Sequence, residues 1–347
     1  DAIAYLWKEI GTSCIHLEQT HRVVRLFRAI LREVAPWVLI ITETNVPHEE
    51  NISYFGDGTN EAQMVYQFSL PPLVLDAFRR GDSTHLSKWA SGLTSIEGDV
   101  TFFNFLASHD GVGLLPAHGI LTDEELHGLV DLALSHGGYV SYKATPEGNI
   151  PYELNITYYN AIVNSEEEDD VKVKKFLSSQ AIMLSLKGVP GIYIHSLLGT
   201  ENYREGVKIT KINRTVNRKK FSYSEITALV KDENSTVSRI FNGFKYLLNT
   251  RKNEKAFHPG GKQTILSKSG PVFAILRKAS ESGEQILCLH NVSGERAVYK
   301  LDLTENSFGN YALLKDLLSG RKVIIKKERK ELGISLEAYE TAWYKAE

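Results

Sequence analysis

Two cysteines in 347 residues, Cys14 and Cys288, offer neither a disulfide framework nor metal-ligand spacing. They read as unpaired thiols, so a reducing compartment and a cytoplasmic location are expected. Histidine is equally unhelpful to a metal: His16, His21, His48, His195 and His258 make no HxxxH or HxH pair, and no metal is expected. Charge of one sign is also missing. The formal net charge is -2 and the sequence pI about 6.7, which gives no field for nucleic acid and no basic or acidic tail. No apolar run reaches the roughly 18 residues of a membrane span, so no membrane partner is expected and the chain should be soluble. Five Asn-x-Ser/Thr sequons, at Asn51, Asn155, Asn213, Asn234 and Asn291, stand without secretory context and read as chance.

What is present is a set of carboxylates beside apolar segments. Leu39-Ile40-Ile41-Thr42-Glu43-Thr44-Asn45-Val46 is a β-branched run that reads as a buried strand ending in one titratable group. Asp1 opens Asp1-Ala2-Ile3-Ala4-Tyr5, and Thr101 to Ala107 runs into Ser108-His109-Asp110-Gly111. Three carboxylates at strand ends suit a (β/α)8 barrel, in which the C-terminal strand ends converge on one face. Asp1, Glu43 and Asp110 are therefore the candidate catalytic group.

In chain order, the spacing predicts a helix over Glu18 to Val34 closed by Pro36, the strand ending at Glu43, and a turn-rich loop from Pro47 to Asn60 that lacks the alternating ligands of a calcium loop. A short strand over Gln63 to Phe68 leads through Pro71-Pro72 into a helix to Arg79, with another over Leu86 to Leu93. The strand into His109-Asp110 follows. A long connection carries a helix over about Thr122 to Ser135, then an apolar helix over Phe176 to Leu186 is broken by Gly188-Val189-Pro190-Gly191 before a strand Ile192-Tyr193-Ile194. A helix over about Ser235 to Lys252 completes the alternation. Five strands are counted in βα register, including one that ends at Asp1. Three more would lie upstream of a chain that opens without an initiator Met, so it is expected to be the C-terminal part of a longer protein. Residues 1–259 are assigned to the barrel. Residues 260–347 are assigned to a C-terminal β-sandwich domain, from alternating strands at Gln263 to Leu266, Val272 to Arg277, Gln285 to His290, Ala297 to Leu301 and Ala338 to Tyr344.

Taken together, these segments resemble glycoside hydrolase family 13, the α-amylase clan, and within it the sucrose phosphorylase-like sugar phosphorylases. Asp1-Ala2 begins at the third position of that family's Arg-x-Asp-Ala nucleophile motif, Glu43 matches its acid/base Glu, and His109-Asp110 its His-Asp pair. Asp1 to Cys14, Phe68-Ser69-Leu70-Pro71-Pro72, Asn155-Ile156-Thr157-Tyr158-Tyr159 and Ile212-Asn213-Arg214 extend the likeness. The resemblance implies retaining transfer of an α-glucosyl unit to phosphate, giving α-glucose 1-phosphate through a β-glucosyl ester, with phosphate as co-substrate and no cofactor. It implies Asp1 as nucleophile, Glu43 as acid/base and Asp110 as the charge held against the ring. Tyr5, His109 and Arg214 would contact the sugar, and Tyr152 and Glu153 the acceptor side.

Two departures from the sucrose-specific pattern fall at the acceptor side: Glu153 stands where those enzymes have Gln, and Asn45 where they have His. Sucrose, sucrose 6-phosphate and glucosylglycerate all stay open as donors. Of the seven basic residues between Arg204 and Lys220, only Arg214 is assigned to the site; the others read as a solvated face. The same carboxylates serve a hydrolase or transglucosidase of the clan, and a piece with five of eight strands would leave an open sheet edge and exposed core, so inactivity of the isolated chain is the third reading.

Overall fold

A computed structural model describes residues 1–347 except 94–98, 147, 305–307 and 327. Seven strands lie in its first part: β1 (Ile41–Thr42), β2 (Met64–Tyr66), β3 (Thr101–Asn104), β4 (Val112–Gly113), β5 (Tyr139–Thr145), β6 (Gly148–Asn155) and β7 (Val189–Pro190). Four form a parallel sheet in the order β1-β2-β3-β7, with Ile41 beside Met64, Met64 beside Thr101 and Phe103 beside Val189. Because the strands are parallel, the residues that follow them all leave on one side. Glu43 follows β1, Phe68 follows β2, and the His109-Asp110 loop follows β3.

Helices Glu18–Val34, Leu70–Arg80, Thr84–Gly92 and Thr236–Asn253 lie within a residue or a few of the expected ranges. The first of them matches at both ends. Helix Asp123–Ser135 starts at a capping box in which Thr122 and Glu125 satisfy each other's backbone N–H. Helix Asp169–Ser185 begins seven residues before its apolar run, because Asp169 and Asp170 suit the positive end of the helix dipole. Leu73, Leu129, Tyr158, Phe176, Ile182 and Phe244 join one buried cluster between these helices.

One strand expectation is corrected, and another, the strand expected to end at Asp1, lies outside the described residues. From Asp1 onward Ala2 takes a left-handed conformation (φ 47°) and Ile3–Tyr5 make a single 3-10 turn, and four parallel strands are found among the described residues. The strand expected at Ile192-Tyr193-Ile194 lies instead at Val189–Pro190, and Ile194–Leu197 is a short helix. The cause is contact geometry. A Cβ on Gly188 would lie 2.6 Å from the Phe102 carbonyl oxygen, and one on Gly191 would lie 2.2 Å from the Phe103 ring, so the glycines let the chain press against β3 there. The hairpin β5–β6, which sequence reading left in the long connection, joins β4 in an antiparallel sheet ordered β4-β6-β5.

From Lys262 onward come β8 (Lys262–Ile265), β9 (Val272–Lys278), β10 (Gln285–Asn291), β11 (Ala297–Asp302), β12 (Leu313–Asp316), β13 (Lys322–Ile324), β14 (Glu331–Leu336) and β15 (Thr341–Ala346). Six of them form an antiparallel sheet, β13-β12-β15-β10-β9-β8, and β11 pairs with β14 as a separate ribbon. Alternation sorts the two faces of the six-stranded sheet. Ile275, Ile286, Cys288 and Trp343 face the helical core, whereas Ala274, Leu287, Leu289 and Tyr344 join Ile334 and Leu336 of the ribbon. Arg277 stitches the first face down: fully buried, it donates from Nη1 to the Ser185 carbonyl (2.9 Å) and from Nη2 to the His258 carbonyl (2.9 Å).

The parallel sheet ends at β1 on one side, and that side carries exposed apolar residues: Leu26, Phe27, Ile30 and Val34 on the first helix, then Trp37 (78% exposed), Leu39 and Ile41. An edge strand beside uncovered apolar area is a surface on which further chain can pack. No described helix is long and apolar enough to cross a membrane.

His290 on β10 generates a pH test. It is fully buried between the hydroxyls of Ser185 and Thr341, each 3.1 Å away, and burial pushes its pKa down to about 3. The unfolded chain protonates this residue below about pH 6.5, whereas the folded chain resists protonation, so its contribution is complete above that pH and is lost as pH falls towards the folded value. The loss approaches about 1.4 kcal/mol per pH unit. His290→Gln is expected to flatten the melting temperature between pH 6.5 and 4, and a profile parallel to the parent's would contradict this account.

Candidate active site

The site is a cavity of about 660 Å³ at the C-terminal ends of the parallel strands, and all eight residues singled out in the sequence line it: Asp1, Tyr5, Glu43, His109, Asp110, Tyr152, Glu153 and Arg214. Each reaches it for a local reason. The 3-10 turn anchors buried Ala4 and leaves Tyr5 half-exposed into the cavity. Past β1 the chain stays extended, so Thr42 and Thr44 are buried while Glu43 and Asn45 are partly open. Past β3, the Asp110 N–H donates to Ser108 Oγ at 3.1 Å, and Asn217 Nδ2 donates to the carbonyls of Ser108 (2.7 Å) and Asp110 (3.1 Å). That loop is fixed from two sides. Gly111 allows it to approach β6: a Cβ there would lie 2.4 Å from the Leu154 carbonyl oxygen and 2.6 Å from Glu153 Cγ.

The electrostatics centre on Glu153, which is only 3% exposed. Arg214 meets it with two parallel hydrogen bonds, Nε to Oε1 at 3.0 Å and Nη2 to Oε2 at 2.6 Å, and its Nη1 lies 2.8 Å from Asp110 Oδ1. Glu153 and then Asp110 hold the Arg214 guanidinium charged, raising its pKa despite partial burial. Arg218 adds a second cation on Asp110: Nη2 donates to Oδ1 at 2.9 Å and Nε to the His109 carbonyl at 2.6 Å. His109 Nε2 is 3.6 Å from the same carboxylate oxygen. Asn45 Nδ2 donates to Tyr152 Oη at 3.4 Å, so the segment after β1 is tied to β6 across the cavity.

Sequence reading missed Arg218, Tyr142 and Lys143, all of which line the cavity. Arg218 stands four residues after Arg214, just past the 3-10 helix Asn213–Asn217 that turns both towards Asp110, and that spacing is the signal that could have found it. Tyr142 and Lys143 sit on the hairpin whose strands were not recognised. The remaining basic residues of the run are placed elsewhere or outside the cavity lining: Arg204 packs against Gly137, and Lys219 lies over the Phe221 ring at 4.5 Å. Among the described residues, the group with metal-ligand spacing is Asp76, His85 and Glu125, away from the cavity. Its carboxylates are held by Arg79 and Arg80.

No family model matches the chain. Glucosylglycerate phosphorylase from Spirochaeta thermophila is 51% identical over 346 residues, which is 99% of this chain and 59% of that protein. Glucosylglycerate phosphorylase from Escherichia coli K12 is 40% identical over the same shares. The chain thus spans about three-fifths of the length of these curated relatives. Among solved structures, sucrose 6F-phosphate phosphorylase from Thermoanaerobacter thermosaccharolyticum superposes with a TM-score of 0.69 at 22% identity, covering 84% of this chain and 55% of that one; it shares the fold.

Removing Arg214 would leave a buried carboxylate without its cation, whereas removing Arg218 would leave Asp110 still paired with Arg214. Arg214→Met is therefore expected to cost about 3 kcal/mol of stability, and Arg218→Met, whose partner is itself partly solvated, less than about 1 kcal/mol. Equal losses in denaturant titrations of the two variants would contradict the assignment of Glu153 as the charge that must be matched.

Proposed function

The chain is homologous to the glucosylglycerate phosphorylases over 99% of its own length, and on that premise we propose that the protein is a retaining phosphorylase that moves an α-glucosyl unit from glucosylglycerate to phosphate. The observation that carries this reading is the convergence of Asp1, Glu43 and Asp110, from three separate segments, on one cavity. Glucosylglycerate is chosen over sucrose and sucrose 6-phosphate because the 51% and 40% relatives carry that name, and because Glu153 and Asn45 depart from the sucrose-specific pattern. The four parallel strands read as part of an eight-stranded barrel, with residues 1–259 contributing to it and residues 260–347 forming the domain that follows.

In the first half-reaction an Asp1 carboxylate oxygen attacks the anomeric carbon while Glu43 gives its proton to the departing glycerate oxygen, so the C–O bond to glycerate breaks as the ester to Asp1 forms. In the second, a phosphate oxygen attacks the same carbon, Glu43 takes the proton and Asp1 leaves. Two inversions return the α configuration, and a retaining pair works across about 5 to 5.5 Å. Asp110, ion-paired with Arg214 and Arg218, would stabilise positive charge on the ring and bind hydroxyls with His109. Tyr5 supplies an aromatic face, and Tyr152 and Glu153 border the acceptor.

The test is phosphate-dependent release of α-glucose 1-phosphate from glucosylglycerate, sucrose and sucrose 6-phosphate. It uses the chain joined to the segment its relatives carry beyond the matched region. Product from glucosylglycerate is expected, abolished by Asp1→Asn and reduced about 10²- to 10⁴-fold by Glu43→Gln. Free glucose without dependence on phosphate would move the protein to the hydrolases or transglucosidases.

A further inference from the structure

We propose that Lys143 is the residue that receives the small oxyanion of the acceptor subsite, whether the phosphate of one reaction direction or the glycerate carboxylate of the other. The proposal rests on the phosphorylase reading and adds a specificity-determining residue to it. Three cationic side chains line the cavity: Lys143, Arg214 and Arg218. Two of them are already committed. Arg214 is engaged by Glu153 and Asp110, and Arg218 by Asp110 and the His109 carbonyl. Lys143 has neither an ion pair nor a hydrogen bond among the described residues, and it is exposed. It is thus a cavity cation that no ion pair or hydrogen bond among the described residues engages.

The backbone places it at the cavity. The β5–β6 ladder is regular from Tyr139 to Ser141, then slips: Ser141 pairs with Glu153 and Tyr142 with Pro151, so Tyr152 on β6 is the extra residue, and Lys143 pairs with Ile150. Such a bulge bends and twists the hairpin, and Tyr142, Lys143, Tyr152 and Glu153 all line the cavity. The same hairpin carries Tyr152 and Glu153 on β6. Lys143 therefore stands on the element that borders the acceptor, on a flexible stem able to follow a phosphate or a carboxylate.

The experiment is direct binding by isothermal titration of inorganic phosphate and of glycerate, with glycerol as the uncharged control, to the parent, Lys143→Met and Lys143→Arg. The parent is expected to bind both anions. Lys143→Met should weaken them about tenfold or more while Lys143→Arg restores them. A loss confined to one anion supports the assignment and names the occupant. Equal binding by parent and Lys143→Met, or no anion binding by the parent, overturns it. Lysine-dependent binding in a protein without phosphorolysis would count against the proposed function alone, so the two failures are separable.

Discussion

A carboxylate shut away from water needs a cation, and that requirement at Glu153 organises the cavity. Arg214 is drawn from the turn after the parallel sheet onto β6, and its planar fork meets both Glu153 oxygens. Once there, its remaining amine reaches Asp110 on the loop after β3. Three segments far apart in sequence are thereby tied through one guanidinium. Gly111 and Asn217 finish the junction, the first by admitting the close approach of the loop to β6 and the second by holding the loop's carbonyls.

The parallel sheet sets direction and the antiparallel parts set enclosure. Parallel strands send Glu43 and the Asp110 loop out on the same side, and the hairpin β5–β6 stands over that side with Tyr142, Lys143, Tyr152 and Glu153. The six-stranded sheet takes no part in the cavity. Its inner face, pinned by Arg277, closes the hydrophobic core beneath helices Asp169–Ser185 and Thr236–Asn253. Stability and chemistry are thus carried by different layers, joined through the helices between them.

Much of this was legible in the sequence, and the failures have physical causes. Helix Glu18–Val34 carries strong periodicity, and β9 and β10 are near-continuous apolar runs buried on both faces. Glu43 and Asp110 follow β-branched or aromatic runs, so their convergence could be expected from the parallel register of β1 and β3. The hairpin β5–β6 was missed because Tyr139–Thr145 and the start of Gly148–Asn155 are partly or fully exposed on both faces and mix Ser, Lys and Thr with the aromatics; neither period stands out. β12 is held as much by side chains as by propensity, since Asp316 accepts from the backbone N–H groups of Leu318, Ser319 and Trp343. The strand placed at Ile192 to Ile194 failed because its β-branched composition was read without the two glycines that let the chain press against β3 before it.

The central claim is that Asp1 is the nucleophile of a retaining site completed by Glu43 and Asp110. The most direct measurement is intact-mass analysis, followed by peptide mapping, after exposure to 5-fluoro-α-glucosyl fluoride. This donor forms the ester but turns over slowly. The account predicts one added fluoroglucosyl unit on the peptide that contains Asp1, removed when phosphate is supplied. A label on another peptide, or none while the donor is consumed, would contradict it.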